Sequence, residues 1–412
     1  MASVAKSAVK SALKKGFLDG AALAVDELLK CSRCGRCQAV CPVYLATGQE
    51  RLVARGKLAL IQAVREGGLE PTPAFIDTIS RCLLCGACRS FCARGVDTAA
   101  VIEQVRAAAA SSLGLPRLYS LLFAGLEKPA LLGVAARAGR LFQDLAGVVP
   151  GAPLSLLPWV GKYAAALKLA AKPFLSGDLP AAEPSAGAVG LFVGCGANYV
   201  WPEAARAALG LLERAGVSVV VPAAQVCCGL PAAGAGDSAS AAELAHRNRE
   251  AFAGLSGIVA LCASCAHHLR RIPGLPPVRL LAEALPTAAV TPGGDRLRVA
   301  YHAPCHARFS PAGTKPLLGL LAALPNVELL EVEDACCGFG GLFSLTHPEL
   351  SLSILSQRLR GLLALHPDAV VTDCSGCLVQ LTAGLREMGR DVPVVHPAQL
   401  LAGTLAGTFP GI

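Results

Sequence analysis

No GxGxxG loop follows a strand-like run in these 412 residues; GFGGLF (338–343) fails in both spacing and context. No Walker loop is present, and no Ser/His/Asp arrangement stands at a recognisable elbow. A flavin or nicotinamide site is therefore not expected here, nor is hydride removal from a substrate. Aromatic residues make up only 5% of the chain. A nucleic-acid face would interleave basic residues with aromatics or carry a known binding motif. Neither is visible, so no nucleic acid is expected as a partner. The longest uncharged runs, Ala215–Gly236 and Val392–Ile412, both contain proline, and Pro150, Pro153 and Pro158 interrupt residues 147–161. None of them reads as a membrane-spanning helix. No apolar h-region opens the chain. The expectation is a cytoplasmic protein, held at the inner face of the cell membrane, if at all, through partners.

Cysteine is abundant, with 18 residues in a chain that is 53% hydrophobic. Without export, a disulfide framework is not expected. Buried inert thiols would be scattered, and these are not. Residues 31–42 read CSRCGRCQAVCP and residues 82–92 read CLLCGACRSFC. Each is C-x2-C-x2-C-x3-C, the bacterial ferredoxin run for [4Fe–4S] clusters. Three thiolates two residues apart wrap three corners of a small cube along one tight loop, and the fourth reaches the other cube. One cube is assigned to Cys31, Cys34, Cys37 and Cys92, the second to Cys82, Cys85, Cys88 and Cys41. A pair of zinc knuckles would not need this doubled three-plus-one pattern. Ala93 stands where the second run usually has proline, a residue that sets the turn and does not ligate iron.

The net charge of +8 concentrates in the same region: residues 1–106 hold 15 Lys/Arg against 9 Asp/Glu. Two cubes of about two negative charges each would offset most of that excess. Arg33, Arg36 and Arg89 lie inside the cysteine loops, where they either stabilise added electrons or are simply solvated. Between the runs, GKLALIQAVREG (56–67) and PAFIDTIS (73–80) have helical period, as does VDTAAVIEQVRAAAA (96–110).

The other ten cysteines form two sets of five: Cys195, Cys227, Cys228, Cys262, Cys265 and Cys305, Cys336, Cys337, Cys374, Cys377. Their offsets are 110, 109, 109, 112 and 112, an internal duplication of about 110 residues. VGLFVGC (189–195) aligns with LRVAYHAPC (297–305), and GIVALCASC (257–265) with DAVVTDCSGC (368–377). Short apolar β-rich runs (LFVG, VSVVVP, IVAL) alternate with helical ones (PEAARAALGLLERAG), which predicts α/β units with a mostly parallel sheet. In each copy the cysteines follow strands. Ligands gather at the carboxyl ends of such strands, so five cysteines are expected to converge on one site per repeat. Cys265 and Cys377 begin helical runs, where the helix N-terminus favours thiolate. Five thiolates exceed what zinc or one cube accepts, so the adjacent pair suggests bridging of a distorted or split iron–sulfur cluster. A strained vicinal disulfide or a four-cysteine zinc site are the alternatives. His267, His268, His302 and His306 lie near these cysteines as ligands, proton carriers or core residues.

The pattern C-xn-CCG-xm-C-x2-C resembles the cysteine-rich CCG domain of heterodisulfide reductase subunits. Two ferredoxin motifs followed by two CCG domains resemble the iron–sulfur subunit of glycolate oxidase, that of D-lactate dehydrogenase, and the iron–sulfur subunit of anaerobic glycerol-3-phosphate dehydrogenase. CCGFGGLFSLTHPEL (336–350) and HPAQLLAG (396–403) are similar to sequence of the lactate and glycolate branch. Glycolate subunits often keep only the last cysteine of CxxC. Here Cys262 and Cys374 complete both motifs, which draws the likeness toward the other branches.

The expected fold is an α+β multidomain chain: a helical ferredoxin domain (1–110), a helical connecting segment (111–185), and two duplicated α/β CCG domains (186–292 and 293–412). The resemblance implies an iron–sulfur electron-transfer subunit. A partner FAD-containing dehydrogenase subunit would oxidise glycolate or D-lactate, and electrons would pass through the two cubes and the CCG sites toward quinone or another carrier. The rival readings are a heterodisulfide-reductase-type subunit that itself reduces a disulfide, a glycerol-3-phosphate dehydrogenase subunit, and a zinc scaffold. Two further segments stand out. The amphipathic basic start SVAKSAVKSALKKGF is read as a helical tail or a contact for anionic lipid or an acidic partner. The apolar stretch 153–175, with Trp159 and Tyr163, is read as a docking helix or as packing between the two halves.

Overall fold

The computed structural model describes Leu18 and residues 25–146, 163, 168–177, 187–290 and 295–403. The basic start and most of 153–175, including Trp159, lie outside the described residues. The chain forms two compact units.

The first unit comprises Met1–Ala124 together with Gly229–Ala242 and Gly338–Ile354. Its main helices are α1 (Ala54–Arg65), α2 (Pro73–Ser80) and α3 (Thr98–Leu113), close to the segments of helical period in the sequence. The Thr72 side chain accepts the Phe75 N–H at the start of α2, and Asp97 accepts that of Ala100 at the start of α3; each cap satisfies a backbone donor that the helix leaves over. Apolar residues three and four apart put Leu58, Ile61 and Val64 of α1, Phe75 and Ile79 of α2, and Val101, Ile102 and Val105 of α3 into one core. Each such side chain contributes roughly 1.5–3 kcal/mol on burial. The segments after the two CCG words belong to this unit. Helix Leu230–Ala235 packs on α3, and Arg106 donates to Gly234 O (2.8 Å). Gly236 has φ +92, and a Cβ there would stand 2.5 Å from the Arg106 carbonyl carbon, so only glycine fits.

The second unit comprises Gly125–Cys228, Glu243–Cys337 and Leu355–Ile412. It holds two four-stranded parallel sheets of the same design. The first runs β2-β1-β3-β4, with β1 Val189–Phe192, β2 Val219–Val220, β3 Gly257–Ala260 and β4 Val278–Leu280. The second runs β6-β5-β7-β8, with β5 Leu297–Tyr301, β6 Val327–Leu330, β7 Ala369–Val371 and β8 Val394–Val395. Register repeats as well: Leu191 pairs with Val259, and Tyr301 with Val371, at the offsets of 110 and 112 seen in the sequence. The central strands are buried on both faces, which accounts for their continuous apolar runs. The main helices are α4 (Pro202–Arg214), α5 (Ser238–Ala251, in this unit from Glu243 onward), α6 (Ala263–Leu269), α7 (Pro348–Leu363, in this unit from Leu355 onward) and α8 (Ser375–Glu387).

The two repeats share one core. Ala205, Ala208, Leu211 and Leu212 of α4 join Leu191 and Val259 of the first sheet, Val299 and Val371 of the second, and Leu400 and Leu401 near the chain's end. Helix α4 of the first repeat packs on Pro397–Leu401 of the second, and Lys315–Ala322 of the second packs on Leu281–Ala284 of the first. The exchange is reciprocal, as in a two-fold pair. No single described helix is long and apolar enough to cross a membrane.

Candidate metal centres

The two ferredoxin loops have the same backbone. Arg33 (φ +57) and Leu84 (φ +54) hold matching positions, as do Gly35 (φ +85) and Gly86 (φ +77). Non-glycine residues avoid this region at a cost of about 1–2 kcal/mol, and using it twice in each loop turns consecutive N–H groups toward the loop's inside. Cys31, Cys34, Cys37 and Cys92 line one cavity, which Cys88 also lines. Cys41 lies in the field of Cys82, and Cys88 in that of Cys82 and Cys41. Thus Cys92 lies with the first three cysteines of the first run, and Cys41 with Cys82 and Cys88 of the second. Burial pushes the Cys88 thiol up to about 12 and raises those of Cys37 and Cys41.

Sequence reasoning missed two cations behind the Cys82–Cys88 loop. Lys57 is buried; its Nζ donates to Leu52 O and to Arg81 O (3.3 Å), and burial lowers its pKa against the pull of Cys82 and Cys41. Arg106 donates to the carbonyls of Cys82 (2.7 Å), Ser80 (2.8 Å), Ile79 (3.1 Å) and Gly234, while its buried Nε has no hydrogen-bond partner among the described residues. A buried cation whose hydrogen bonds go to neutral carbonyls calls for a nearby anion. A dianionic cluster on these thiolates fits that demand. The signal in the sequence was period: Lys57 and Arg106 interrupt the apolar faces of α1 and α3. Arg33, Arg36 and Arg89, which the sequence singled out, are exposed; Arg33 donates to Gln62 and Arg89 pairs with Asp97.

In the second unit each sheet places its cysteines at a switch point. From β1 the chain leaves toward β2 on one side, while β3 lies on the other, which opens a crevice at the strands' carboxyl ends. Cys195 follows β1, and Cys262 is the N-cap of α6 after β3. Cys227 hydrogen-bonds Cys195, and Cys265 bonds both Cys228 and Cys262. The CCG loop is braced from behind. Asn248, fully buried on α5, accepts from Val226 N (3.1 Å) and donates to Cys227 O (2.9 Å), while Gln225 bonds the backbone of β1 and of Val193.

The second set repeats the pattern. Cys374 is the N-cap of α8 after β7, and Cys337 Sγ stands 3.3 Å from Cys377 Sγ. Cys337 also bonds Cys336 and His302, and Cys305 lies in its field. No disulfide joins any of the eighteen cysteines.

Three features depart from expectation. The two sets do not stand apart: Cys262 and Cys374 approach to 4.0 Å, Ser375 N donates to Cys262 Sγ (3.4 Å), and Ser264 Oγ stands 3.2 Å from Cys374 Sγ. The helix N-termini do not make Cys265 and Cys377 the thiolates. Their protons are engaged by Cys228 and Cys262, and by Cys337 and Cys374, and burial adds to this, so both thiols are raised well above the usual range. Cys262 and Cys337, lowered by their contacts with neighbouring thiols, are held well below it. The histidines also divide. His302 faces Cys337, His306 Nδ1 lies 2.9 Å from Ser264 Oγ, and the His267 ring stacks on that of His306 at 4.3 Å. His268 is buried.

Buried thiols held protonated need a cation to ionise together, and binding one releases their protons. An all-sulfur donor set suits iron–sulfur clusters or zinc.

Comparison with known proteins accords with the cysteine pattern. A 4Fe-4S dicluster domain family matches residues 27–96, and a cysteine-rich domain family, CCG, matches 189–270 and 299–382. The chain is 28% identical over 418 residues to a probable glycolate oxidase iron-sulfur subunit of Bacillus subtilis (strain 168), covering 91% of this chain and 93% of that one. It is 30% identical over 236 residues to lactate utilization protein A of Exiguobacterium sp., covering 52% of this chain and 96% of that one. It is 31% identical over 224 residues to one subunit of the fumarate reductase (CoM/CoB) of Methanothermobacter marburgensis, covering 52% of this chain and 45% of that one.

Proposed function

The chain belongs to the iron–sulfur protein family of lactate utilization protein A, and from that premise we propose that it is the electron-transfer subunit of a flavin-dependent 2-hydroxy-acid dehydrogenase. The partner is an FAD subunit that oxidises glycolate or D-lactate, and the electrons leave toward quinone or another carrier. A hydroxy-acid substrate is supported by the names of the relatives, a glycolate oxidase subunit and lactate utilization proteins. Bound clusters would supply one-electron storage at four thiol groups along one polypeptide.

The chain's own residues do the rest. Cys31, Cys34, Cys37 and Cys92 would hold one cube; Cys41, Cys82, Cys85 and Cys88 would hold the other, backed by Lys57 and Arg106. Cys195, Cys227, Cys228, Cys262 and Cys265, and Cys305, Cys336, Cys337, Cys374 and Cys377, would hold the two CCG centres. The observation that carries the reading is this grouping of thiols, with buried Lys57 and half-buried Arg106 behind one group, in a chain without a nucleotide-binding loop. The test is anaerobic purification from the native host with iron and acid-labile sulfide analysis, followed by mass spectrometry of co-purifying chains. A lactate- or glycolate-type flavoprotein beside an iron- and sulfide-rich chain is expected. Zinc with little sulfide would refute it.

A second reading is favoured by the complete CxxC motifs and the likeness to the fumarate reductase (CoM/CoB) chain. There a CCG centre would reduce a disulfide directly. Disulfide reduction by reduced viologen, with no flavoprotein present, would support it.

A further inference from the structure

The two CCG repeats match strand for strand, so residues at the same place around the two cysteine sets can be compared directly. At three such places the chemistry differs in one direction. Phe192 at the end of β1 corresponds to His302 beyond β5 and Asn198 to Arg308, at the offset of 110 that relates Cys195 to Cys305, and Asn248 on α5 corresponds to Arg358 on α7 when the two helices are aligned from their first residues, Ser238 and Pro348. The first repeat thus has a phenyl ring and two neutral amides where the second has an imidazole and two guanidinium groups. His302 and Arg358 of the second group lie at Cys337, with Arg308 beside His302. Arg358, buried, donates from Nε to His302 Nδ1 (2.8 Å) and from Nη1 to Glu333 O (2.6 Å). His302 is 1% exposed and hydrogen-bonds Cys337. Arg308 lies in the field of His302 and Cys305 and pairs with exposed Asp334 (3.2 Å).

The geometry of His302 decides its role. A ring nitrogen of His302 and the sulfurs of Cys337 and Cys377 all lie within 4.8 Å of one another, close enough to suggest a three-ligand metal site. A guanidinium can only donate, so Nδ1 must be the ring's acceptor and Nε2 carries the ring proton. An imidazole with its remaining nitrogen protonated is not a ligand. It gives an N–H to sulfur. Hydrogen bonds to cluster sulfurs and nearby positive charge favour the reduced, more negative state and raise the reduction potential.

We propose that His302, held in this tautomer by Arg358, donates to Cys337 and makes the second cysteine set the better electron acceptor of the two. Uptake of one electron there adds one negative charge; no bond forms or breaks, and the proton stays on His302. Asp373, which corresponds to Leu261 and directly precedes Cys374, adds an opposing charge that bears on both sets: it bonds Tyr301 (3.0 Å) and lies in the field of Cys262. The inference rests on the reading that both sets hold redox clusters.

The test is a dithionite titration of the anaerobic full-length protein followed by paramagnetic resonance, with the second-set signal assigned by its loss in Cys305→Ser. His302→Phe, which copies the first repeat, is expected to keep wild-type iron and sulfide. Its second-set equilibrium should shift at least tenfold toward the oxidised state, a drop of about 59 mV for one electron, while the first-set midpoint stays in place. His302→Gln keeps an N–H donor and is expected to recover most of the shift. In wild-type protein carrying 15N-histidine, a weak nitrogen coupling is expected, so the role can be read even if the variants fail to fold. A strong coupling, loss of second-set iron in His302→Phe, or a loaded variant with an unmoved midpoint would overturn the proposal. Wild-type protein without sulfide would overturn the function reading and this inference together.

Discussion

A glycine in the first CCG repeat should control the assembly of a ferredoxin loop. Gly236 ends the short helix that follows Cys227–Cys228, and it lies against the backbone of Arg106 on α3. Replacing it with alanine has two costs. A non-glycine residue at φ +92 costs about 1–2 kcal/mol. The new Cβ would also stand 2.5 Å from the Arg106 carbonyl carbon and 2.8 Å from Ala107 N, so backbone must move, an overpacking cost of about 1–3 kcal/mol. The stiffer unfolded chain returns about 0.4–1 kcal/mol. The net is a destabilisation of about 1–4 kcal/mol, or about 3–15 °C in melting temperature for a unit of this size. The displaced residue is the one whose guanidinium holds the carbonyls of Ile79, Ser80 and Cys82, so iron should be lost first from the cube assigned to Cys82, Cys85, Cys88 and Cys41. The assay is thermal unfolding together with spin quantification after dithionite. Gly254→Ala is the control: its φ is +77, but nothing lies within 4 Å of the added Cβ, so only the conformational cost applies. Equal stability of the two variants, or full cluster content in Gly236→Ala, would refute the reasoning.

Lys57→Met removes a buried positive charge from beside Cys41, Cys82 and Cys88. At an effective dielectric near 20, unit charges a few ångströms apart interact by ~2–4 kcal/mol, so the potential of that cube should fall by tens of millivolts or more while the other stays put. Asn248→Ala leaves Val226 N–H and Cys227 C=O buried without their partner; a loss of ~2–4 kcal/mol and of iron from the first CCG set should appear by denaturation and metal analysis. The Cys88 thiol, pushed up to about 12 by burial, is protonated at neutral pH. Iron loading should therefore release protons measurable in a pH-stat. The stability that this protonated thiol confers on the metal-free chain should be fully present below about pH 9 and be lost as pH rises toward 12. Thr72→Ala removes the cap on Phe75 N and should cost about 1 kcal/mol without changing cluster content.

Much of this molecule is written in local spacing. Three cysteines two residues apart, then a fourth, specify a loop around a small cluster, because such short segments have few backbone solutions. The same holds for the β-rich runs before Cys195 and Cys305, and for the offsets that disclose the duplication. The three helices around the ferredoxin loops followed from periodicity. None of these needed a distant part of the chain. What required the tertiary structure was every meeting between segments that spacing leaves independent. Lys57 and Arg106 read as ordinary charges until packing buried Lys57 and the Arg106 Nε behind Cys82. Cys265 and Cys377 looked like the thiolates because a helix end was all that could be seen locally; Cys228 and Cys337, which also engage their protons, come from the distant CCG loops. Cys262 meets Cys374 only because the two repeats pack reciprocally, and His302 becomes a donor only when Arg358, 56 residues away, occupies its other nitrogen. Short-range chain geometry dictates motifs, whereas electrostatic environment depends on which faces pack together, and periodicity does not name the partner of a face.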